Sequence, residues 1–195
     1  MKDWTGNNKA IYTCHGASNH SKEERQNEDY YATDPSTIDD LLKHEQFFVS
    51  IWENASGENH LADRLRSHNY TVRCSDIVKR TPDTELIDFL KYEGSWYGDI
   101  ITNPPYKYAE DWVWKSMECL KEGSKLAMFL KLTFLEGQKR RKMFEKYPPK
   151  TVYVYSKRAM CAKNGDFLKY DGNAVAYAWY VWEKGFTGDT VLKWI

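Results

Sequence analysis

Four consecutive residues, Asn103-Pro104-Pro105-Tyr106, are the best suited to chemistry, and they directly follow the apolar run Gly98–Thr102. The two prolines fix φ and remove two backbone donors, and Asn103 is held extended because a proline follows it. This segment, the Asn-Pro-Pro-Tyr turn, therefore presents two acceptors, the Asn103 side-chain oxygen and a nearby main-chain carbonyl. The pattern suits a planar amine that binds both acceptors while its ring stacks on Tyr106, although Asn-Pro is also a common turn signal.

Two other segments with polar candidates follow predicted strands. Glu53–Asn59, called the glycine loop here, joins the strand Phe47–Trp52 to a predicted helix. A carboxylate followed by small residues lets a backbone approach a nucleoside closely, although an ordinary strand-to-helix loop has the same composition. Asp76 ends the next strand, at about the 20-residue offset from Gly57 that is found in dinucleotide-binding folds. An acid at that position can accept hydrogen bonds from both hydroxyls of a ribose.

These segments lie in an alternation of strands and helices. The predicted strands are Phe47–Trp52, Tyr70–Cys74, Gly98–Thr102, Ser124–Leu130, Thr151–Tyr155 and Ala174–Trp182. The predicted helices are Glu58–Ser67, Asp83–Tyr92, Lys107–Lys121 and Glu136–Tyr147. Such alternation is typical of an α/β domain with a mainly parallel sheet, here with the final two strands antiparallel. We expect residues 1–29 to form a polar, flexible arm and residues 30–195 to form one domain.

The composition excludes several classes of protein. The 28 basic and 28 acidic residues cancel, so only a local cluster of charge could bind an anionic partner. The four cysteines lack C-x-x-C spacing, which argues against a zinc site and a disulfide framework and favours reduced thiols. No apolar run is long enough to cross a membrane, and the amino terminus lacks a signal peptide, so we expect a cytoplasmic protein without a metal.

Taken together, these segments resemble the S-adenosylmethionine-dependent methyltransferases that act on adenine N6. The Asn-Pro-Pro-Tyr turn is similar to the family's catalytic motif, the glycine loop to its methionine-binding motif, and Asp76 to the acid that binds the cofactor's ribose. Tyr31–Pro35 resembles the upstream threonine motif, and Asp88-Phe89-Leu90 resembles the segment that binds the cofactor's adenine. This order looks like the gamma arrangement and like the compact enzymes of phages and prophages.

The resemblance implies a Rossmann-like methyltransferase fold with a mainly parallel twisted sheet, helices on both faces and an antiparallel last strand. It implies S-adenosyl-L-methionine as cofactor and adenine in DNA as substrate. The implied catalytic residues are Asn103, Pro104, Pro105 and Tyr106. The implied cofactor-binding residues are Thr33, Glu53, Ala55, Gly57, Asp76, Asp88, Phe89 and Asn103.

The sequence departs from the family pattern in three places. Asn59 stands where a second glycine is usual, and asparagine tolerates positive φ better than most residues do. The segment Asn54-Ala55-Ser56 replaces the usual Pro-Ala-Cys. About a dozen residues follow the last predicted strand, so we expect no separate target-recognition domain. Sequence specificity would then be short, relaxed or provided by loops.

Nucleic-acid contacts are expected from basic residues that follow strands. Lys131 follows the predicted strand Ser124–Leu130, and Lys157 and Arg158 follow the predicted strand Thr151–Tyr155, so we expect all three to face the phosphates. Phe134 is a candidate to wedge or stack against bases, with a role in the core as the alternative. The densest basic run is Lys139–Lys142, which is better interpreted as a solvated helix face.

Three alternative functions remain open at this point. A protein-glutamine N5-methyltransferase would bind a side-chain amide at the same acceptors, although those enzymes usually carry an N-terminal helical domain for which the polar arm is too short. Adenine in RNA is the second alternative, because the turn would contact the base and not its sugar. The third is a methyltransferase-like fold that serves only as a binding module, although all four residues of the turn are intact.

Overall fold

The computed structural model describes residues 31–157, 161–163 and 175–195. Its strands are β1 (Tyr31–Thr33), β2 (Ser50–Glu53), β3 (Thr71–Asp76), β4 (Glu85–Leu86), β5 (Asp99–Thr102), β6 (Lys125–Lys131), β7 (Thr151–Val154), β8 (Cys161–Lys163), β9 (Tyr177–Glu183) and β10 (Val191–Trp194). Its α-helices are α1 (Ser36–Leu42), α2 (His60–Ser67), α3 (Ala109–Cys119) and α4 (Arg141–Lys146). None of the helices in these ranges is long and apolar enough to cross a membrane.

Eight strands form one mainly parallel sheet in the order β10-β7-β9-β6-β5-β2-β3-β4. Only β9 is antiparallel to its neighbours, β6 and β7. This confirms the expected α/β class with an antiparallel strand near the end of the chain. The strand order reverses between β2 and β5, and ligands of open α/β sheets bind beside such a reversal, at the carboxyl ends of the strands.

Helices cover both faces of the sheet because the central strands are apolar on both sides. Ile51 and Ile101 point to the face that α1 and α2 cover, and Trp52 and Ile100 point to the face that α3 and α4 cover. All four side chains are fully buried. Strands that are buried on both faces read as continuous apolar runs, which is why the sequence indicated these strands well.

One predicted helix is wrong. The Asp83–Tyr92 segment contains the short strand β4 and a 3₁₀ turn, Phe89–Lys91, instead of an α-helix. Strand β4 pairs with the end of β3, and the backbone N–H of Ile87 donates to the carbonyl of Asp76. Pairing with a neighbouring strand has overridden the local helical pattern, as tertiary contacts often do.

The predicted helix Glu136–Tyr147 is shorter than expected. Its regular part is α4, preceded by a 3₁₀ turn over Gln138–Arg140. Gly137 adopts φ +133°, a conformation that ends any helix passing through it. The sequence interpretation also missed α1, β10 and the antiparallel pair of β1 with β8. The proposed arm, residues 1–29, lies outside the described residues.

Candidate active site

The carboxyl ends of β2, β3, β5 and β6 lie side by side at one edge of the sheet. These strands are parallel, and their registers align Glu53 with Cys74 and Thr102 with Met128. The glycine loop, Asp76, the Asn-Pro-Pro-Tyr turn and Lys131 leave the sheet from these ends. The fold thus brings together at one edge candidates that are far apart in the sequence.

The Asn-Pro-Pro-Tyr turn is hydrogen-bonded to the last residue of β1. The side-chain nitrogen of Asn103 donates a 2.7 Å hydrogen bond to the hydroxyl of Thr33, which is 2% exposed. This contact joins the turn after β5 to the end of β1. It assigns the nitrogen of the amide to Thr33, so the buried oxygen Oδ1 is the atom directed away from it. An acceptor in this orientation is what a planar amine requires.

Tyr106 is the first residue of a 3₁₀ turn, Tyr106–Tyr108, and its ring lies beside the end of β6. The ammonium group of Lys131 lies 5.0 Å from the centre of this ring, and the ring of Tyr177 lies 6.1 Å away. Lys131 therefore adjoins the Asn-Pro-Pro-Tyr turn. Its charge is held at the aromatic ring that would stack on a base, as cation–π contacts allow.

Asp76 holds the glycine loop in its curved form. One carboxylate oxygen accepts the backbone N–H of Gly57 at 2.9 Å, and the other accepts that of Val78 at 3.0 Å. Gly57 has φ +53°, a left-handed conformation that glycine adopts without strain. Gly57 and Asp76, whose spacing resembles that of dinucleotide-binding folds, are thus in direct contact. Each carboxylate oxygen has lone-pair capacity for a further donor.

Asn59 occupies the place of the second glycine and has φ +67°. Its side chain is buried, and its amide nitrogen donates to Thr81 at 2.7 Å and to Asp83 at 2.8 Å. The hydroxyl of Thr84 donates to its amide oxygen at 3.3 Å. Asn59 therefore keeps the turn and also fastens the β3–β4 connection to it, which a glycine could not do.

Three buried polar atoms near the ends of β2 and β5 have no hydrogen-bond partner among the described residues. They are Oε2 of Glu53, Nδ2 of Asn54 and Oγ1 of Thr102. Burial raises the pKa of the Glu53 carboxyl well above its ordinary value, against the effect of a hydrogen bond from the Ala62 backbone. Unsatisfied buried polar atoms are rare in folded proteins and indicate a ligand or an ordered water.

The Asp88-Phe89 segment lies on the α3 side of the sheet. Phe89 is fully buried, with ring centres 5.3 Å from both Trp52 and Trp112. The carboxylate of Asp88 is 39% exposed and forms an ion pair of 2.8 Å with Lys91. The adenine contacts that the resemblance implies for these two residues remain predictions.

The nucleic-acid candidates have different surroundings. Lys157 is exposed after β7, which runs in the same direction as β6, whereas Arg158 lies outside the described residues. Phe134 is 7% exposed and packs edge-on against Tyr180 at 5.5 Å, which favours the core role over the wedge. Arg140 of the basic run was missed as a candidate. It turns towards Phe134, with its guanidinium 4.9 Å from that ring.

Solved structures of methyltransferases share this architecture, although no protein-family model and no curated protein matches the sequence. A Listeria monocytogenes protein described as a class I S-adenosylmethionine-dependent methyltransferase gives a TM-score of 0.57 at 12% identity, over 83% of this chain and 64% of that one. The S-adenosylmethionine-dependent O-methyltransferase of Thermotoga maritima gives 0.53 at 14% identity, over 80% and 66%. The fold is that of class I methyltransferases.

A third neighbour is the M protein of the type I restriction enzyme EcoKI. It gives a TM-score of 0.57 at 16% identity, over 83% of this chain and 45% of that protein. The chain spans just under two thirds of the Listeria and Thermotoga proteins. At these identities the likeness shows the fold alone.

Proposed function

We propose that this protein transfers a methyl group from S-adenosylmethionine to the N6 amino group of adenine in DNA. The observation that carries the proposal is the Asn103–Thr33 hydrogen bond of 2.7 Å. It orients the Asn103 oxygen as an acceptor at the carboxyl edge of a sheet with the class I methyltransferase fold. The presence of that fold in the M protein of a restriction enzyme agrees with a DNA substrate.

The residues beside β2 and β3 are suited to S-adenosylmethionine. The loop around Gly57 brings backbone close to the strand edge, and Asp76 stands where a ribose would be bound. The buried atoms Oε2 of Glu53 and Oγ1 of Thr102 are polar groups that a ligand would satisfy. By the resemblance, Thr33 and Ala55 would adjoin the methionine end, and Asp88 and Phe89 the adenine. When bound, the cofactor supplies a methyl group on a positively charged sulfur.

Asn103 and the carbonyl of Pro104 would act on the amine that receives the methyl group. An arylamine nitrogen is a poor nucleophile because its lone pair is delocalised into the ring. Two acceptors that bind its two hydrogens draw the nitrogen towards a tetrahedral geometry and stabilise the positive charge that develops there. One well-placed group of this kind lowers the activation barrier by about 3 kcal/mol. Pro105 carries no N–H, so it adds no competing donor to the turn.

Tyr106 would hold the base itself. An adenine in duplex DNA must leave the base stack to reach this edge. Stacking on an aromatic side chain offsets about 1–3 kcal/mol of that cost. Lys131, 5.0 Å from the same ring, and the exposed Lys157 would then bind neighbouring phosphates, and Arg158 follows Lys157 in the chain.

The test is product analysis. Purified protein is incubated with S-adenosylmethionine and, separately, with unmethylated genomic DNA, total RNA and a release-factor-like protein. Each substrate is then hydrolysed and examined by mass spectrometry. N6-methyl-2′-deoxyadenosine from the DNA is the expected product. Methylglutamine, N6-methyladenosine from RNA alone, or no product from protein that binds S-adenosylhomocysteine would each overturn the proposal.

The variant Asn103→Ala separates catalysis from folding. We expect it to lose turnover by at least about a hundredfold, the range seen when a preorganised acceptor or donor is removed. It should keep most of its affinity for S-adenosylhomocysteine, measured by calorimetry, and its melting temperature should stay close to that of the wild type. Full activity in this variant would refute the acceptor role.

A further inference from the structure

An open cavity adjoins the Asn-Pro-Pro-Tyr turn. Its volume is about 90 Å³, and Tyr106 is one of its lining residues. The buried residues Ala109, Leu130 and Phe134 make the cavity apolar inside. Its remaining lining residues are polar or charged: Lys131, Thr133 and Arg140. An apolar interior with a cationic rim suits a flat, neutral ring attached to an anionic group.

Arg140 lines the same cavity as Tyr106. Its Nε donates to the carbonyl of Phe134 at 2.9 Å, and its Nη2 donates to the carbonyls of Thr133, at 3.2 Å, and of Glu136. These carbonyls lie at the end of the 3₁₀ turn Leu132–Leu135 and at Glu136, the residue after it; the carbonyl of Thr133 also accepts the backbone N–H of Glu136 at 3.1 Å. One guanidinium thus holds the segment that follows β6 in place.

The backbone at Gly137 lies close to the guanidinium of Arg140. Gly137 has φ +133°, and a Cβ at this position would lie 2.9 Å from Nη2 of Arg140. A side chain at position 137 would therefore be strained in its backbone, and the end of the Arg140 side chain would have to shift to make room for it. The Glu136–Arg140 segment is thus wrapped around the Arg140 side chain, which is not a solvated residue of a helix face.

The Nη1 nitrogen of Arg140 can donate further hydrogen bonds. A guanidinium carries five N–H donors and remains charged at any physiological pH. Nε and Nη2 supply the three bonds to the wall, and among the described residues no acceptor contacts Nη1. A permanently charged donor pair at the rim of an apolar cavity is an arrangement that binds a phosphate.

We propose that Arg140 binds the phosphate next to the target base when that base stacks on Tyr106, beside the cavity that Arg140 and Tyr106 both line. This inference rests on the proposed function and adds to it a phosphate-binding residue that the position of Arg140 in a basic run did not indicate. Lys131 lines the same cavity, so a nucleotide whose base stacks on Tyr106 would have two cations near its phosphate.

The next arginine in the chain provides a matched control. Arg141 is 79% exposed, lies outside the cavity lining and pairs with Glu145 on its own helix at 2.7 Å. Arg141→Gln removes the same charge from the same basic run without touching the cavity. A general loss of positive charge would affect both arginine variants equally, whereas a phosphate contact would affect Arg140 alone.

The experiment measures kcat and KM for methyl transfer to sheared, unmethylated genomic DNA between about 50 and 200 mM salt. In Arg140→Gln we expect KM to rise about tenfold, because a charge-assisted hydrogen bond is lost. The plot of log(kcat/KM) against log salt should become less steep by about one unit, since one phosphate contact is gone. Arg140→Lys keeps the positive charge and should restore the wild-type slope. Both Arg140 variants should melt at a lower temperature than the wild type, because neither side chain can bind all three carbonyls.

The outcomes separate the two proposals. If the wild type forms no methyladenine in DNA, the proposed function fails. If the wild type is active but the salt slope of Arg140→Gln equals that of the wild type and of Arg141→Gln, the phosphate role of Arg140 is wrong and the proposed function stands. A slope that falls in both glutamine variants also contradicts this inference, because the effect would then be general.

Discussion

The amide nitrogen of Asn103 donates a 2.7 Å hydrogen bond to the hydroxyl of Thr33, a residue 70 positions earlier in the chain. An asparagine amide has a donor end and an acceptor end, and rotation by half a turn exchanges them. The Thr33 hydroxyl, buried at the end of β1, accepts from the nitrogen end, so in the proposed function the oxygen end would face the amine of the substrate. The orientation of Asn103 thus depends on a residue that is distant in the sequence.

Thr33→Val should lower kcat about tenfold, and Thr33→Ser should stay near the wild type. Valine matches threonine in shape but removes the acceptor, and a hydrogen bond contributes roughly 1 kcal/mol, close to the 1.4 kcal/mol that changes a rate tenfold. Single-turnover methyl transfer at saturating cofactor measures the effect apart from cofactor affinity. Equal rates for the valine and serine variants would contradict the orienting role.

Asp76→Ala should weaken the binding of S-adenosylhomocysteine more than tenfold. The substitution removes the acceptor of the Gly57 N–H and the oxygens proposed to bind the ribose. Asp76→Asn keeps one acceptor oxygen and should lose less affinity. Titration calorimetry gives both dissociation constants. An unchanged constant in the alanine variant would show that the cofactor does not depend on this strand end.

Asn59→Gly should lower the free energy of unfolding by about 1–2 kcal/mol, although glycine is better suited to the backbone. The hydrogen bonds of Asn59 to Thr81, Asp83 and Thr84 are lost. Their combined contribution to stability exceeds the backbone strain of about 1 kcal/mol that glycine removes at a left-handed position. Urea denaturation measures the change.

Asn69 is the matched control for this substitution. It has φ +66° and is exposed, so Asn69→Gly relieves a similar backbone conformation without breaking a buried network. We expect this variant to be neutral or slightly more stable than the wild type. If both glycine variants gain stability, the side chain of Asn59 does not fasten the loop.

Glu53→Gln should change how stability depends on pH. Burial raises the pKa of this carboxyl above its unfolded value of 4.5, so the folded state holds the proton more tightly than the unfolded state does. The contribution of Glu53 is therefore fully present below pH 4.5 and is lost as pH rises through the raised pKa. The stability of the variant relative to the wild type should accordingly increase with pH.

Urea unfolding at several pH values from about 5 to 8 measures this difference. Glu118→Gln serves as control, because the side chain of Glu118 is 64% exposed and pairs with Lys115 on the same helix. A difference between Glu53→Gln and the wild type that stays constant across the range would show that Glu53 titrates normally.

Local chemistry made much of the edge of the sheet predictable. Strands buried on both faces are continuous apolar runs, so β2, β5 and β6 and the polar segments after them could be read directly. Parallel strands place their carboxyl ends together, and Asp76 accordingly lies beside the glycine loop, where its carboxylate accepts the N–H of Gly57 at 2.9 Å. The left-handed turn at Asn59 followed from the backbone tolerance of asparagine.

Tertiary contacts decided what local patterns could not. Strand β4 replaced a predicted helix because its backbone pairs with β3, and Phe134 packs in the core because Tyr180 on β9 lies against it. Arg140 looked like one cation in a solvated run, yet three carbonyls and a glycine shape a site for its guanidinium.

The sequence by itself determined the class of fold and the strand ends, and it predicts the planar-amine chemistry of the Asn-Pro-Pro-Tyr turn. These depend on apolar periodicity and on the restricted backbones of proline and glycine, which act over a few residues. Only the tertiary structure decided that Thr33 orients Asn103 and that Arg140 lines the neighbouring cavity. Both depend on atoms brought within 3 to 5 Å by strand pairing and packing, and no local pattern specifies such distances.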